Sequence, residues 1–221
     1  MKNARETFFD KIKNRIFTLF GKRREIGSGE KPEEGFTIIS CNCIAGITYH
    51  NLNMEFLTPT INLYIEMPDF LNMCLNLEEY MHRELLEADD SMTKGHPVGV
   101  LGGDVRIHFL HYNSFDEAFA AWERRKQRIN YDKIFVIITD RDGFEDHMLE
   151  QLDLISYPKV FFSHKKPQND YTVFIKCDRR KKTVGDLTRF VNLRKVRKYE
   201  YYFDMNKWLT GKYSIDECLI N

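Results

Sequence analysis

The sequence predicts an α/β protein with three layers, in which helices cover both faces of a mostly parallel or mixed central sheet. The stretch from Pro97 to Gly143 carries this prediction, because it reads as a strand, a helix and a second strand. Apolar, β-branched runs before and after this stretch add further strands. A helical crossover of this length favours parallel strands, which are the basis of α/β folds.

The central stretch defines its three elements by pattern. Between Val105 and Leu110 the side chains alternate in character with the period of a strand. Ser114 and Glu117 then make a capping box, in which each side chain bonds the backbone amide of the other residue at the start of a helix. The run Ile134–Ile138 is apolar throughout and therefore predicts a strand that is buried on both faces.

Candidate catalytic side chains follow both strands. His111 comes just after the first strand, and Asp140 and Asp142 come just after the second, within the turn Thr139–Gly143. Parallel neighbours end at the same edge of a sheet, so we expect these three side chains to lie close together. Open α/β sheets bind their ligands at this carboxyl edge.

Composition excludes several classes of protein. The chain has 221 residues, and 33 Lys and Arg residues balance 33 Asp and Glu residues. With no net basic charge and no aromatic platform beside the basic clusters, we predict no nucleic-acid partner. The five cysteines lack paired C-x-x-C spacing, which argues against a zinc site or disulfide set and fits a reduced, cytoplasmic compartment. We find no signal-peptide core and no apolar run of membrane-spanning length.

We divide the chain into an N-terminal segment, residues 1–30, and a single α/β domain, residues 36–221. From Thr7 to Phe20 an apolar stripe runs along a predicted basic helix. One interpretation is a peripheral anchor on the inner face of the cytoplasmic membrane. The other is a terminal helix that packs on the core or on a partner, and the sequence favours neither.

The other elements follow from composition and spacing. Phe36–Ser40 is a predicted strand that runs into a loop of small residues, Cys41–Gly46. A helix begins at Pro68 and continues to Met81, and the Gly-rich segment 95–103 predicts turns, because it lacks the spacing of phosphate-binding loops. The remaining predicted elements are a helix at Met148–Ile155, strands at Lys159–His164 and Tyr171–Lys176, a helix at Val184–Leu193 and a helical segment from Tyr199 to Trp208.

Five segments together resemble a bacterial family, domain of unknown function 1919. They are Ser40-x-Asn42-Cys43-x-x-Gly46, Pro97–Gly99, Ile107–Tyr112, Trp122–Asn130 and Thr139–Gly143. Members of this family are found in loci for exopolysaccharide and capsule biosynthesis. The resemblance covers roughly Thr37 to His164 and implies an α/β fold and a role in making surface polysaccharide. It implies no particular reaction, and Ile44 stands where the family usually has an aromatic residue.

The first functional hypothesis is glycosyl transfer from a nucleotide sugar to a glycan or a lipid-linked acceptor. Asp140 and Asp142 resemble the D-x-D element of metal-dependent glycosyltransferases, whose two carboxylates hold Mg²⁺ or Mn²⁺ beside the leaving diphosphate. His111 would be the base that deprotonates the acceptor hydroxyl. The same residues also suit an ordinary turn with exposed, self-capping aspartates.

The second hypothesis is acyl transfer to the polysaccharide through Cys43. A thiol at a strand end, near a helix start and His111, can be activated as a nucleophile. A buried, inert cysteine is the structural alternative. A third hypothesis belongs to another class, a non-catalytic subunit that binds a sugar or a lipid carrier.

We therefore expect one crevice at the carboxyl edge of the sheet. Its predicted catalytic residues are His111, Asp140 and Asp142, and the two aspartates are also its predicted metal ligands. The predicted substrate-binding residues are Asn42, Cys43, Gly46 and Arg141. His108 points to the opposite strand face from His111 and is predicted to be a satisfied core histidine.

Overall fold

A computed structural model describes residues 27–93, 95–177 and 182–220. The helix predicted at Thr7–Phe20 lies outside these residues. The strands are β1 (Thr37–Ser40), β2 (Tyr64–Ile65), β3 (Leu85–Glu87), β4 (Val98–Leu101), β5 (Val105–His108), β6 (Ile134–Thr139), β7 (Lys159–Ser163) and β8 (Thr172–Phe174). The α-helices are α1 (Ile44–Leu52), α2 (Met67–Leu75), α3 (Leu77–His82), α4 (Phe115–Lys126), α5 (Leu149–Leu154), α6 (Lys198–Tyr202) and α7 (Met205–Leu209).

The strands form two sheets with helices around them, which confirms the predicted α/β class. One sheet is parallel, with the strand order β1-β6-β7-β8. The other is antiparallel, with the order β2-β5-β4-β3. In the parallel sheet Thr37 is opposite Ile134 and Ser40 is opposite Ile137, so β1 and β6 end at the same edge.

The prediction that the two strands of the central stretch are parallel neighbours is wrong. Strand β5 pairs with β2 and β4 in the antiparallel sheet, whereas β6 pairs with β1. Helix α4 therefore connects two sheets. The pattern predicted each element correctly but not the pairing, since a strand's partner depends on tertiary packing as well as on the length of the crossover.

Two compact units make up the described chain. The larger, Glu34–Val160, contains the antiparallel sheet, β1, β6 and helices α1 to α5. Strands β1 and β6 are fully buried in it, and for β6 the apolar run Ile134–Ile138 predicted this burial. The fully buried Trp122 of α4 packs edge-on against Phe109, with ring centroids 6.3 Å apart. This unit contains every predicted site residue.

The smaller unit comprises residues 27–33 and 161–220. In it β7 and β8 pair in parallel, with Phe161 opposite Thr172. The C-terminal aromatic segment is helical, as predicted, and forms α6 and α7. Phe203 packs edge-on against Phe162, with ring centroids 5.8 Å apart, and so helps to build the core of this unit.

Three predicted elements differ in the structure. No helix forms at Val184–Leu193 within the described residues, because Gly185 has a positive φ and the Asp186 carboxylate binds the amide of Thr188 at 2.9 Å in a turn. The Gly-rich segment contains strand β4. Gly99 fits there because a Cβ would come 2.7 Å from the Leu85 side chain. The helix predicted to run from Pro68 to Met81 is divided into α2 and α3.

Neither disulfide bonds nor membrane-spanning helices occur among the described residues. The five cysteines, all in the described ranges, form no disulfide, as their spacing predicts. Among the described helices, none is long and apolar enough to cross a membrane.

Candidate functional site

The junction between β1 and α1 places Cys43 at the start of a helix. Cys43 is the N-cap residue of α1. The Asn42 side-chain oxygen accepts hydrogen bonds from the Ile44 amide at 3.0 Å and from the Ser40 hydroxyl at 3.3 Å. The Asn42 side chain thus stabilises the turn that carries Cys43. Its role in substrate binding stays a prediction.

The structure brings His111 against Cys43. The Cys43 Sγ lies 3.9 Å from the His111 Nε2, and the contact is open to solvent. His111 is not on a strand, since β5 ends at His108 and the Tyr112 amide donates to the Phe109 carbonyl at 3.3 Å in the turn that follows. The imidazole reaches the end of β1 from the other sheet, and not from a parallel neighbour as the sequence suggested.

Cys41, two residues before Cys43, has the opposite environment. Its side chain is fully buried, with the Sγ 3.7 Å from the Thr139 hydroxyl and 3.9 Å from the Ile137 carbonyl. Burial raises the pKa of the Cys41 thiol to about 12, so this thiol stays neutral at physiological pH. Its contacts also join the end of β1 to the end of β6.

The turn Thr139–Gly143 follows β6 at the same edge. Asp140 is only 4 % exposed, so the expectation of exposed turn aspartates is wrong for this residue. Asp142 has a φ of 54°, in the left-handed region, and its carbonyl accepts the Met67 amide at the start of α2 at 2.7 Å. The Asp142 carboxylate lies 3.7 Å from the Arg141 guanidinium. Asp142 therefore also anchors α2 to the end of β6.

Strand β2 completes this edge of the unit. The Ile65 amide donates to the Cys41 carbonyl at 3.1 Å, which ties β2 to the end of β1. The Tyr64 ring stacks on His108 with centroids 4.3 Å apart, and His108 is 2 % exposed and approaches His96 at 3.2 Å between ring nitrogens. The prediction of a core histidine is confirmed. Partial burial, and then the nearby Glu66 and Asp142 carboxylates, raise the pKa of Tyr64.

Gly46 lies in the first turn of α1 and is half-exposed. A Cβ at this position would meet the Ile61 side chain at 3.5 Å, which is an ordinary contact. Packing therefore does not require glycine here. Glycine is also unfavourable in a helix, so neither packing nor helix formation explains it, and its role in substrate binding stays a prediction.

The predicted residues gather at this edge in two groups, which we call the thiol side, Asn42, Cys43, Gly46 and His111, and the carboxylate side, Asp140, Arg141 and Asp142. Across the described ranges, no three His, Cys, Asp or Glu side chains form a cluster that could hold a metal ion. A D-x-D element supplies only two carboxylates, so the Mg²⁺ or Mn²⁺ hypothesis stays a prediction. Sequence reasoning did not pick out Cys41 and Thr139, which join the two groups, because nothing in their spacing reveals a contact between strands.

The model of one protein family matches residues 19–210 of this chain, and its description is "Domain of unknown function (DUF1919)". The chain belongs to this family. A relative in Haemophilus influenzae, described as an uncharacterized protein, is 35 % identical over 177 residues, which are 79 % of this chain and 84 % of the relative. The family resemblance expected from the five sequence segments is thus confirmed.

Proposed function

We propose that this DUF1919 protein is a transferase of bacterial surface polysaccharide biosynthesis, and that it transfers an acyl group through Cys43. The observation that carries the reaction is the approach of the Cys43 Sγ to the His111 Nε2, 3.9 Å apart and open to solvent. A nucleophile beside its base is the arrangement that covalent catalysis requires, and such contacts are often loose without substrate. The polysaccharide context rests on the resemblance described above.

The reaction has two steps. The His111 Nε2 takes the Cys43 proton, and the thiolate attacks the carbonyl carbon of the acyl donor. A C–S bond forms, the bond to the leaving group breaks, and the leaving group receives the proton from His111. In the second step His111 takes the proton of a glycan hydroxyl, whose oxygen attacks the thioester. The ester forms, the C–S bond breaks, and the sulfur regains its proton.

The start of α1 supplies the charge stabilisation that both steps need. The first amides of a helix have no carbonyl partner within that helix. The Ile44 amide binds the Asn42 side chain and the Ile47 amide binds the Cys43 carbonyl at 3.1 Å. The amides of Ala45 and Gly46 lie between these two, beside Cys43, where they can donate to the oxyanion of the tetrahedral intermediate.

Acetyl-CoA, an acyl thioester, is the probe that tests this proposal. We expect the intact protein to gain one acetyl group, which peptide mass spectrometry places on Cys43. The His111→Ala variant should acylate at least about a hundredfold more slowly, since a general base contributes about that much. The matched control is His147→Ala, because His147 is 67 % exposed and paired with Glu145. Acylation of another residue, or of none with any of several acyl-CoA thioesters, would overturn the proposal.

Glycosyl transfer is the second candidate, favoured by the position of Asp140 and Asp142 at the same edge as the thiol side. In this alternative the two carboxylates bind Mn²⁺ or Mg²⁺ with a nucleotide sugar. Calorimetry with Mn²⁺ and a panel of UDP- and GDP-sugars tests it. Binding that Asp142→Asn abolishes without a change in melting temperature would support sugar transfer. Binding that survives this substitution would exclude Asp142 as a required metal ligand and with it the two-carboxylate site.

A further inference from the structure

We infer that Arg125 of helix α4 is a positioning residue that sets the distance between Cys43 and His111. This inference rests on the proposed function, because it assigns Arg125 a role in the same nucleophile–base pair. Arg125 touches neither side chain in the contacts described above. It acts instead through Tyr112 and Phe56, which connect it to the two segments that carry His111 and Cys43.

The first connection leads to His111. The Arg125 Nη1 donates a 2.6 Å hydrogen bond to the hydroxyl of Tyr112, the residue next to His111. The Tyr112 ring also packs edge-on against Phe109, with centroids 5.8 Å apart. Both ends of the turn that holds His111 are thereby fixed to α4, since Phe109 contacts Trp122 in that helix.

The second connection leads to Cys43. The Arg125 guanidinium lies 5.5 Å from the ring centroid of Phe56. Phe56 packs edge-on against Tyr49 of α1, with centroids 5.9 Å apart. The Tyr49 hydroxyl donates to the Phe36 carbonyl at 2.8 Å, which fixes α1 beside β1. Cys43 is the N-cap of this same helix, so the position of α1 determines the position of the thiol.

Only arginine can make both connections at once. Its planar guanidinium presents donors in the plane and a face that stacks on an aromatic ring, whereas a lysine ammonium is a point charge. The path Cys43–α1–Tyr49–Phe56–Arg125–Tyr112–His111 closes at the contact between the thiol and the imidazole. Loss of the guanidinium removes its contacts with Tyr112 and Phe56, so that the turn that carries His111 can move away from Cys43.

The test uses the rate at which iodoacetamide alkylates Cys43, measured against pH by peptide mass spectrometry on the full chain. This readout needs no knowledge of the substrate. In the native protein we expect a Cys43 rate at pH 7 that His111→Ala lowers about tenfold, since an imidazole partner raises the thiolate fraction. Arg125→Met should lower the rate nearly as much and move the midpoint of the pH profile upwards. Arg125→Lys should restore little of it.

Two variants keep the test decisive. Arg124→Met is the matched control, because Arg124 is the exposed neighbour on the same helix, and its Cys43 rate should stay within about twofold of the native rate. Tyr112→Phe removes only the hydroxyl that Arg125 binds, and should shift the pH profile even if Arg125→Met does not fold. If His111→Ala slows alkylation but Arg125→Met, when folded, and Tyr112→Phe do not, the positioning role is wrong and the proposed function stands. If His111→Ala itself has no effect, the nucleophile–base pair fails, and the positioning role fails with it.

Discussion

Two segments at the same edge of the larger unit, 41–43 and 140–142, follow a common plan. Each comes after one of the paired parallel strands β1 and β6, and each has a buried residue followed two positions later by a more exposed one. In the first segment these are Cys41 and Cys43, and in the second Asp140 and Asp142. The exposed member of each pair then meets a different environment, which separates the chemistry of the two segments.

In segment 41–43 the more exposed member, Cys43, is half-exposed and lies against the His111 imidazole. In segment 140–142 the more exposed member, Asp142, has a structural role. Asp142 adopts a left-handed conformation, and its carbonyl holds the first residue of α2. The contacts of the more exposed residue therefore distinguish the two pairs, since Cys43 lies against the imidazole of His111 and Asp142 against the backbone of α2. On this basis the thiol side is the better catalytic candidate.

The largest expected difference lies between the two thiols of segment 41–43. Iodoacetamide at pH 7 should modify Cys43 at least about a hundredfold faster than Cys41, because only thiolates react and burial holds the pKa of Cys41 at about 12. Peptide mass spectrometry with tandem fragmentation distinguishes the two residues. In guanidinium chloride the two rates should converge within about threefold. Equal rates in the native protein would remove the distinction on which this comparison depends.

The two aspartates should differ in stability. Asp140→Asn should lower the free energy of unfolding by about 1–3 kcal/mol, because it places an amide NH₂ group, with two new donors, where a carboxylate oxygen is buried. Asp142→Asn should change it by no more than about 0.5 kcal/mol, since asparagine also tolerates a positive φ. Urea denaturation of both variants measures the difference. A larger loss for Asp142→Asn would show that its carboxylate, and not its backbone, holds the turn.

Local secondary structure was predicted well from the sequence. The apolar run Ile134–Ile138 and the strand Phe36–Ser40 are strands in the structure, and Ser114 caps α4 by accepting the Glu117 amide at 3.3 Å. These are local patterns of hydrophobicity and hydrogen bonding, which one segment determines by itself. The failed helix at Val184–Leu193 is also local, because the turn chemistry of Gly185 and Asp186 outweighs helical spacing there.

Strand pairing, and which of two similar side chains is buried, could not be predicted from the sequence, because both depend on segments far apart in the chain. His111 reaches Cys43 from the antiparallel sheet, and no local pattern shows which sheet β5 joins. Cys41 and Cys43 look alike in the sequence, and only the contact of Cys41 with Thr139 across the parallel strands separates them. The predicted residues do lie at one edge of the larger unit, whereas their division into a thiol side and a carboxylate side could not be predicted.

At alkaline pH the buried Cys41 thiol should make the free energy of unfolding decrease. Burial raises the pKa of Cys41 from 9.0 to about 12 in the folded state. The stability linked to this neutral thiol is complete below pH 9 and is lost as pH rises towards 12, because the unfolded chain releases the proton first. Other buried groups lose stability over the same pH range, such as Cys218, whose pKa burial raises to about 11. Their contributions cancel when the stability of the Cys41→Ala variant is subtracted from that of the native protein. The stability difference should shrink by about 1 kcal/mol between pH 9 and pH 10.

Cys43→Ala is the matched control for this measurement. Its stability difference from the native protein should show no comparable decrease over the same pH interval, because Cys43 is half-exposed and beside a histidine. Unfolding by urea at fixed pH values gives both differences. A Cys41→Ala difference that is independent of pH would mean that the folded protein ionises Cys41 as readily as the unfolded chain does.

The smallest expected effect concerns Gly46, and it separates binding from stability on the thiol side. Alanine at this position meets Ile61 at an ordinary distance and favours the helix, so Gly46→Ala should raise the free energy of unfolding by about 0.5–1 kcal/mol. Ala120→Gly, at an exposed position of α4, calibrates the same difference in reverse. The added methyl group would stand beside the amides that the proposed mechanism assigns to the oxyanion. Acylation of Cys43 by acetyl-CoA should therefore slow about tenfold, whereas alkylation by the small reagent iodoacetamide should change by less than about twofold. A more stable variant with undiminished acylation would show that Gly46 is not needed for binding, and a less stable one that the turn from β1 into α1 itself requires glycine.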